Sequence, residues 1–327
     1  MEKKDIEEAF LIALKSRKMK KSELSRKIAG ILQIEKESAS RRLNKRVQFS
    51  AREIGLLARE MNISLDALVN EKNPLQWTPI TYQSPLSFSS MDDLYNIIEG
   101  NLNRITDITQ GQPGEFGNVV HALPLEFCMY NPILLKFLFF KWGYYFIGTK
   151  DFYDYSGWTL PDNLLNIKDK IEPLLKNMVR RFYIWDNFLI NRVVNEIENF
   201  HRMNIISTAE KNMIGEELKS VLSRIEQNIR GTHDDPKGND PEITFYSSMI
   251  SIGVTCTYYS TSERNCTAFQ TNFLSSGFDD SYENYLKTKE WINSLCNIST
   301  LLSSSAHLER RLFFEKQQKI VDEIIEE

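Results

Sequence analysis

The stretch IEKESASRRLNKRVQFS, residues 34–50, places two adjacent arginines on a predicted short helix and follows them with Lys45 and Arg46. Ala39 and Leu43 lie about one helical turn apart, which predicts that their side of the helix faces a core. The outward face would then carry Glu37, Ser38, Arg41, Asn44 and Lys45. A basic helix face can be solvated without any function, so the flanking sequence decides how these charges are interpreted.

Residues 1–72 are predicted to form a compact all-α domain of five short helices, because apolar side chains recur at helical spacing throughout the segment. Ser22 is the predicted N-cap of the second helix, within KKSELSRKIAGILQ. Ser50 and Glu53 have the spacing of a capping box at the start of the fourth helix. The segment SLDALV, residues 64–69, is predicted to be the fifth helix.

Charge is divided unevenly along the chain. The whole protein has a formal net charge of −4, yet residues 1–72 hold 17 Lys and Arg against 11 Asp and Glu. The remaining 255 residues hold 23 basic against 33 acidic side chains, so the balance is +6 in the first segment and −10 in the second. A basic segment on an acidic protein indicates a polyanionic partner for that segment.

A helix, a turn and a second helix in this order are typical of the helix-turn-helix, whose second helix enters the major groove of DNA. Arginine can donate two hydrogen bonds to guanine, and asparagine can pair in a similar way with adenine. Lysines at helix ends and in the following loop would contact phosphate. The residues predicted to contact DNA are Lys20, Lys21, Ser22, Lys36, Glu37, Ser38, Ser40, Arg41, Arg42, Asn44, Lys45 and Arg46.

The segment SELSRKIAGILQIEKESASRRLNKRVQFSAREIGLLAREMNISLDALV resembles the DNA-binding domain of the lambda-repressor-like (Xre/Cro) family, and in particular its BetR-like bacterial regulators. LSRKIA matches the first motif helix, SASRRL the recognition helix, and IGLLAREMNISLDAL the closing helix and turn. The resemblance covers about residues 5–70 and implies a five-helix lambda-repressor-like domain with its recognition helix at residues 36–45. It also implies a homodimer, since such proteins bind two half-sites roughly one turn of double-stranded DNA apart.

Two features depart from the family pattern. The stretch GILQIEKE is longer than the usual tight turn, so either the second helix is extended or the turn is atypical. The stretch NKRVQ replaces the Glu-x-Gly that commonly follows the recognition helix. These departures affect the assignment of individual base contacts more than they affect the family resemblance.

Residues 73–90 contain three prolines and no charged side chain, and they are interpreted as a linker. Residues 91–327 resemble no known family and are predicted to form a mainly α domain with a small antiparallel β-hairpin, an α+β arrangement. The hairpin strands would come from ITFYSSMISIGVTCTYYS and CTAFQTNFLSS. QGQPGEFGN is interpreted as a loop, and helices are predicted near residues 162–178 and over residues 184–203.

No motif of catalysis or cofactor binding is found in the sequence. The four histidines are far apart, and neither HExxH, GxSxG nor a Gly-rich phosphate loop occurs. We therefore expect no enzymatic activity, no metal and no cofactor. The apolar run ILLKFLFFKWGYYFI, residues 133–147, is interpreted as a buried helix because it is short and two lysines interrupt it. The N-terminus lacks an apolar signal core, so we expect a cytoplasmic protein without membrane association.

Aromatic residues are concentrated between residues 137 and 246, in FLFFKWGYYF, DFYDYSGW, RRFYIW and FYSS. They form either an aromatic core or the lining of an effector pocket, since small-molecule sites are largely apolar. Our first hypothesis is a sequence-specific DNA-binding transcriptional regulator whose residues 91–327 dimerise and sense a small-molecule or protein effector. The alternative is a protein-interaction adaptor whose N-terminal domain is a degenerate helix-turn-helix.

Overall fold

The computed structural model describes residues 6–15, 19–61, 63, 65, 68, 88–230, 241–272, 275–303 and 306–326. The chain divides into two compact units, Met1–Thr81 and Tyr82–Glu327. The fifth helix predicted at residues 64–69 lies largely outside the described residues, as do residues 73–87 of the predicted linker.

Four helices of the N-terminal unit are described: α1 (Ile6–Lys15), α2 (Lys21–Leu32), α3 (Lys36–Leu43) and α4 (Ala51–Glu60). They pack around one apolar cluster that includes Ala39 and Leu43, which confirms the predicted inward side of α3. The capping box of α4 is also confirmed, because Glu53 N–H donates to Ser50 Oγ and Ser50 N–H donates to the Glu53 carboxylate. The predicted cap of α2 is wrong. That helix begins at Lys21 with Lys20 as N-cap, so Ser22 lies inside its first turn.

A seven-stranded mixed sheet organises the larger unit, in the order β6-β5-β4-β1-β2-β3-β7. Its strands are β1 (Gly114–Val120), β2 (Met178–Trp185), β3 (Glu242–Ser248), β4 (Thr255–Thr261), β5 (Asn265–Asn272), β6 (Ser275–Asp279) and β7 (Ser299–Leu301). β1, β2 and β3 are parallel, and the other pairs are antiparallel. The predicted hairpin exists as β4 and β5. The prediction underestimated the β structure, because this hairpin is part of a seven-stranded sheet. The unit is a mixed α/β structure.

Helices form both crossovers of the parallel strands. The helices described in this unit are α5 (Met91–Thr109), α6 (Leu125–Cys128), α7 (Pro132–Phe146), α8 (Asp162–Leu165), α9 (Lys168–Asn177), α10 (Leu189–Arg202), α11 (Thr208–Arg230), α12 (Tyr282–Cys296) and α13 (His307–Glu326), with a 3-10 turn at Lys150–Tyr153. α6 to α9 connect β1 to β2, and α10 and α11 connect β2 to β3. The apolar run of residues 133–147 is confirmed as the buried helix α7. None of the described helices is both long and apolar enough to cross a bilayer.

The stretch QGQPGEFGN was wrongly interpreted as a loop, because its second half belongs to β1. Glycines normally weaken a strand, but here Gly117 permits a close approach. A Cβ atom at Gly117 would lie 2.0 Å from the ring of Tyr258, its cross-strand partner in β4. Since Tyr258 donates a hydrogen bond to Glu115 at 2.6 Å, its ring is held over the glycine.

The helix predicted over residues 184–203 is partly wrong, since Ile184 and Trp185 end strand β2 and α10 begins at Leu189. The helix predicted near residues 162–178 is two helices, α8 and α9. In both places a strand or turn adjoins a helix without a glycine to mark the boundary.

Alternating residues of the strands face two apolar clusters. On one side Phe116, Tyr183 and Trp185 pack into the large cluster formed with α5, α7, α10, α11 and α13. On the other side Val119 and Ile184 pack into a smaller cluster that includes apolar residues of α12. β1 is consequently buried on both faces, in the centre of the sheet.

We expect Gly117→Ala to lower the free energy of unfolding by about 1–3 kcal/mol, because the added methyl group overlaps the Tyr258 ring. Gly100→Ala, on α5, is the matched control, since a Cβ there meets nothing within 4 Å. The control should raise stability by about 0.5–1 kcal/mol. Urea unfolding of the full chain measures both, and equal effects of the two substitutions would contradict this account of β1.

Candidate functional site

The connection between α2 and α3 is a tight turn of three residues, Gln33 to Glu35. Gln33 adopts a left-handed conformation with φ of 53°, and the N–H of Ile34 returns to the carbonyl of Ala29 at 3.0 Å. The N–H of Gln33 also donates to Ala29, so both bonds satisfy this one carbonyl near the end of α2. Of the two explanations for the long GILQIEKE stretch, the structure has the extended helix, since α2 continues to Leu32.

Three predicted DNA-contacting residues form an exposed row, two on α3 and one at its C-cap. Glu37, Arg41 and Asn44 are exposed and lie at successive helical turns. Ser38 and Ser40 flank this row and are half-buried. The Asn44 amide donates to Ser40 Oγ at 3.4 Å. The row therefore presents a cation, a carboxylate and an amide to solvent, which are groups able to hydrogen-bond base edges.

Arg42 differs from Arg41, because its side chain packs against α4. Its Nη2 lies 2.8 Å from the Glu53 carboxylate, its Nη1 donates to the Ser38 carbonyl, and both members of the ion pair are only 18% exposed. Burial opposes ionisation of Glu53, but hydrogen bonds from Ser50 and Arg42 outweigh it and lower the pKa of this carboxyl group. The Arg42 guanidinium thus joins α3 to the capping box of α4.

Lys45 also has a partner within the unit. It lies just beyond α3 with φ of 60°, and its Nζ forms an ion pair with Glu8 of α1. Glu7 accepts a hydrogen bond from the N–H of Phe49 at 2.7 Å. The loop that replaces the family's Glu-x-Gly is therefore attached to α1. Because both Lys45 and Glu8 are about half exposed, this pair can exchange for a phosphate contact.

Further exposed cations lie on α2 and at the two ends of α3. The exposed cations among the predicted contacts are Lys20, Lys21, Lys36, Arg41, Lys45 and Arg46. Ser22 is exposed in the first turn of α2. Arg26 and Lys27 were not among the predicted contacts, but they are exposed on α2, which buries Leu24 and Ile28. The spacing of Arg26 and Lys27 from these apolar residues was the available signal.

The larger unit contains a cavity of about 530 Å³, bounded by the sheet on one side and by helices on the other. Phe116, Asn118 and Val120 of β1 contribute to its floor, together with residues of β4. Apolar side chains of α5, α7, α9 and α10 form much of the remaining wall. Its volume is within the range of about 300–1,000 Å³ that small-molecule sites occupy.

Most polar groups of the cavity are paired with one another. Lys141, only 6% exposed, donates to Glu196 at 2.6 Å. Arg192 pairs with the fully buried side chain of Asp186 at 2.8 Å and donates from Nε to the His121 carbonyl. The His121 Nδ1 atom lies 2.9 Å from Thr255 Oγ1. Burial and the charge of Arg192 lower the pKa of the His121 imidazole. Asn118 accepts a hydrogen bond from Thr257 at 3.0 Å.

Glu126 is the exception among the charged groups that line the cavity. Burial raises the pKa of its carboxyl group to about 7, against a hydrogen bond from its own N–H and the attraction of Arg181. Arg181 donates instead to the carbonyls of Met178 and Leu175. Within the described part of the chain, no other residue donates a hydrogen bond to the Glu126 carboxyl group or forms an ion pair with it. A carboxyl group in this situation is a candidate for a binding role.

The interpretation of the aromatic segments as core is confirmed for Phe137, Phe139 and Phe140, which are fully buried. Trp142, from the same segments, lines the cavity, and an effector role for that cavity stays a prediction. No residue of this cavity was predicted from sequence to bind a ligand. Its available signal was Lys141, a charge inside an apolar run, which needs a buried counter-ion.

No protein-family model, curated protein or solved structure matches this chain. The lambda-repressor-like resemblance and the predicted DNA contacts therefore stay predictions. Among the described residues, no group of three or more His, Cys, Asp or Glu side chains is arranged to hold a metal ion.

Arg42→Ala should lower the stability of the N-terminal unit by about 1–3 kcal/mol, since it removes charge-assisted hydrogen bonds to Glu53. Arg41→Ala removes the same charge from an exposed position and should change stability by less than about 0.5 kcal/mol. Hydrogen exchange of α3 and α4 in the full chain measures both. Equal loss of protection in the two variants would contradict the structural assignment of Arg42.

Glu126→Gln should stabilise the larger unit in a pH-dependent way. The wild-type carboxyl group has a pKa of about 7 when folded and 4.5 ordinarily, so ionisation favours unfolding as the pH rises between these values. The variant should therefore match wild type near pH 4.5 and exceed it by about 1–3 kcal/mol at pH 8. Urea unfolding at both pH values tests this, and a stability gain that does not vary with pH would count against the raised pKa.

Proposed function

We propose that this protein is a sequence-specific DNA-binding transcriptional regulator that binds double-stranded DNA as a homodimer, with α3 in the major groove. The exposed row of Glu37, Arg41 and Asn44 carries the proposal. The opposite side of α3, Ala39 and Leu43, is buried, so the row has a defined orientation on a packed helix. A recognition helix needs this combination of a rigid support and free polar groups.

The division of roles between the two arginines supports the proposal further. Arg42 is engaged with Glu53, while the Arg41 side chain is exposed beside Glu37 and Asn44. Arg41 would read a guanine through two hydrogen bonds, and Asn44 would read an adenine. Lys20, Lys21, Lys36 and Arg46 would contact phosphates on either side and supply most of the salt-dependent affinity.

The larger unit would supply dimerisation and the response to an effector. Its cavity has the size of a small-molecule site, and its walls are largely apolar with a few charged groups. Ligand-dependent regulation would fit a DNA-binding unit followed by a unit with such a cavity. This support comes from the order of the two units along the chain and not from a ligand-binding residue.

Selection of bound duplexes from a randomised library, with the full-length protein, tests the function. We expect an enriched palindromic motif and an affinity that falls steeply with salt. Arg41→Ala should weaken binding to that motif about 10–100-fold and relax its preference at one base pair. The matched control is Arg59→Ala, which removes an exposed arginine from the last turn of α4 and should change the motif little.

Two results would contradict the proposal that this protein is a sequence-specific regulator. Salt-sensitive binding without sequence preference would make the N-terminal unit a general polyanion anchor. Absence of DNA binding at low salt, in a protein that retains its fold, would favour the adaptor with a degenerate helix-turn-helix. In that case charge reversal at Arg41 would leave binding of the partner protein unchanged.

A further inference from the structure

We infer that the cavity of the larger unit binds an apolar, ring-containing amine whose protonated nitrogen pairs with the carboxylate of Glu126. This binding does not depend on the proposed DNA function, although a regulatory role for the amine would rest on that function. Three features support this binding: the lining of the cavity, the pairing of its cations and one carboxyl group without a partner side chain.

The size and lining of the cavity favour a largely apolar molecule with a ring. The cavity has a volume of about 530 Å³, and Ile98, Leu102 and Leu138 are among its wall residues. Trp142 and Tyr259 add aromatic faces against which a ring can pack. The indole N–H of Trp142 is buried and has no acceptor within the described part of the chain, so a ligand oxygen could accept its hydrogen bond.

The charged side chains of the cavity wall favour a ligand with a positive charge. Its two cationic side chains already have carboxylate partners, since Lys141 pairs with Glu196 and Arg192 with Asp186. An anionic ligand would have to share a cation with a carboxylate that already neutralises its charge. Glu126 carries the remaining carboxyl group, and no described side chain donates a hydrogen bond to it. An ammonium group at this position would replace water lost on burial and form a charge-assisted hydrogen bond.

Protonation of Glu126 would couple amine binding to pH. Burial raises the pKa of the free carboxyl group to about 7, and an ammonium partner would hold it ionised. Protons therefore compete with the amine below pH 7. The ionisable groups that interact with Glu126 or share the cavity with it are Arg181, Tyr183, Tyr259, Cys128, His121, Lys141, Arg192 and Glu196. Burial raises the pKa values of Tyr183, Tyr259 and Cys128, so these three stay neutral near pH 7.

Calorimetric titration of the full chain with three matched probes tests the inference. The probes are naphthalen-1-ylmethanamine, naphthalen-1-ylmethanol and 1-naphthoate, which share one ring system and differ in charge. At pH 8 we expect the amine to bind with a dissociation constant of about 0.1–1 mM, the alcohol more weakly and the carboxylate least. At pH 6 the amine should bind about tenfold more weakly than at pH 8, because Glu126 is then mostly protonated.

Two variants locate the site. Glu126→Gln preserves the shape of the side chain but removes its charge. It should weaken amine binding at least about tenfold and abolish the pH dependence of that binding. Glu283→Gln is the matched control, since Glu283 is exposed on α12, the helix that packs against the opposite face of the sheet. Leu102→Trp should fill part of the cavity and weaken all three probes. Thermal melting confirms that each variant is folded.

Several outcomes would overturn the inference. With the wild-type protein, these are the absence of binding heat from the amine at about 1 mM and tighter binding of 1-naphthoate than of the amine. With the variants, they are amine binding that is not weakened by Glu126→Gln and probe binding that is not weakened by Leu102→Trp. Failure here and failure of the proposed function are separable. Arg41→Ala should keep amine binding at wild-type strength, and Glu126→Gln without amine should keep wild-type DNA binding.

Discussion

The burial of strand β1 on both faces is the constraint on which the larger unit depends. β1 pairs in parallel with β2 and antiparallel with β4, so it joins the two halves of the mixed sheet. Its even-numbered residues Phe116, Asn118 and Val120 form the cavity floor, and Val119 packs on the other face. Gly117 is required because the Tyr258 ring occupies the space of a side chain. The same strand therefore determines the position of α12 and of the cavity.

The carboxyl groups of Asp186 and Glu126 lie near that cavity and differ in how their desolvation is compensated. Asp186 accepts hydrogen bonds from the N–H groups of Phe188 and Ile252 in addition to its pair with Arg192, so its cost of desolvation is offset by several donors. Glu126 lacks comparable donors, and its pKa rises instead. A fold selected for stability alone would be expected to place an apolar side chain there. This contrast makes Glu126 the most informative polar group in the larger unit.

The N-terminal unit divides its basic residues between packing and exposure. Arg42 connects α3 to α4, and Lys45 connects the following loop to α1. The partly buried Arg42–Glu53 pair holds α3 against α4, while Arg41 and its neighbours Glu37 and Asn44 are exposed to solvent. Neighbouring arginines in one sequence stretch therefore have different physical roles, which depend on the direction that each side chain takes from a helix of 3.6 residues per turn.

Local features of the chain were determined by the sequence itself. The inward side of α3, the capping box at Ser50, the buried helix α7 and the β4–β5 hairpin all depend on residues close together in the chain, and periodicity and turn chemistry reveal such features. The tertiary structure alone decided that the glycine-containing stretch at residues 114–120 is a central strand and that Glu126 lines a cavity. Those outcomes depend on partners more than 50 residues away, such as β2 and β4, and no local pattern encodes such pairing.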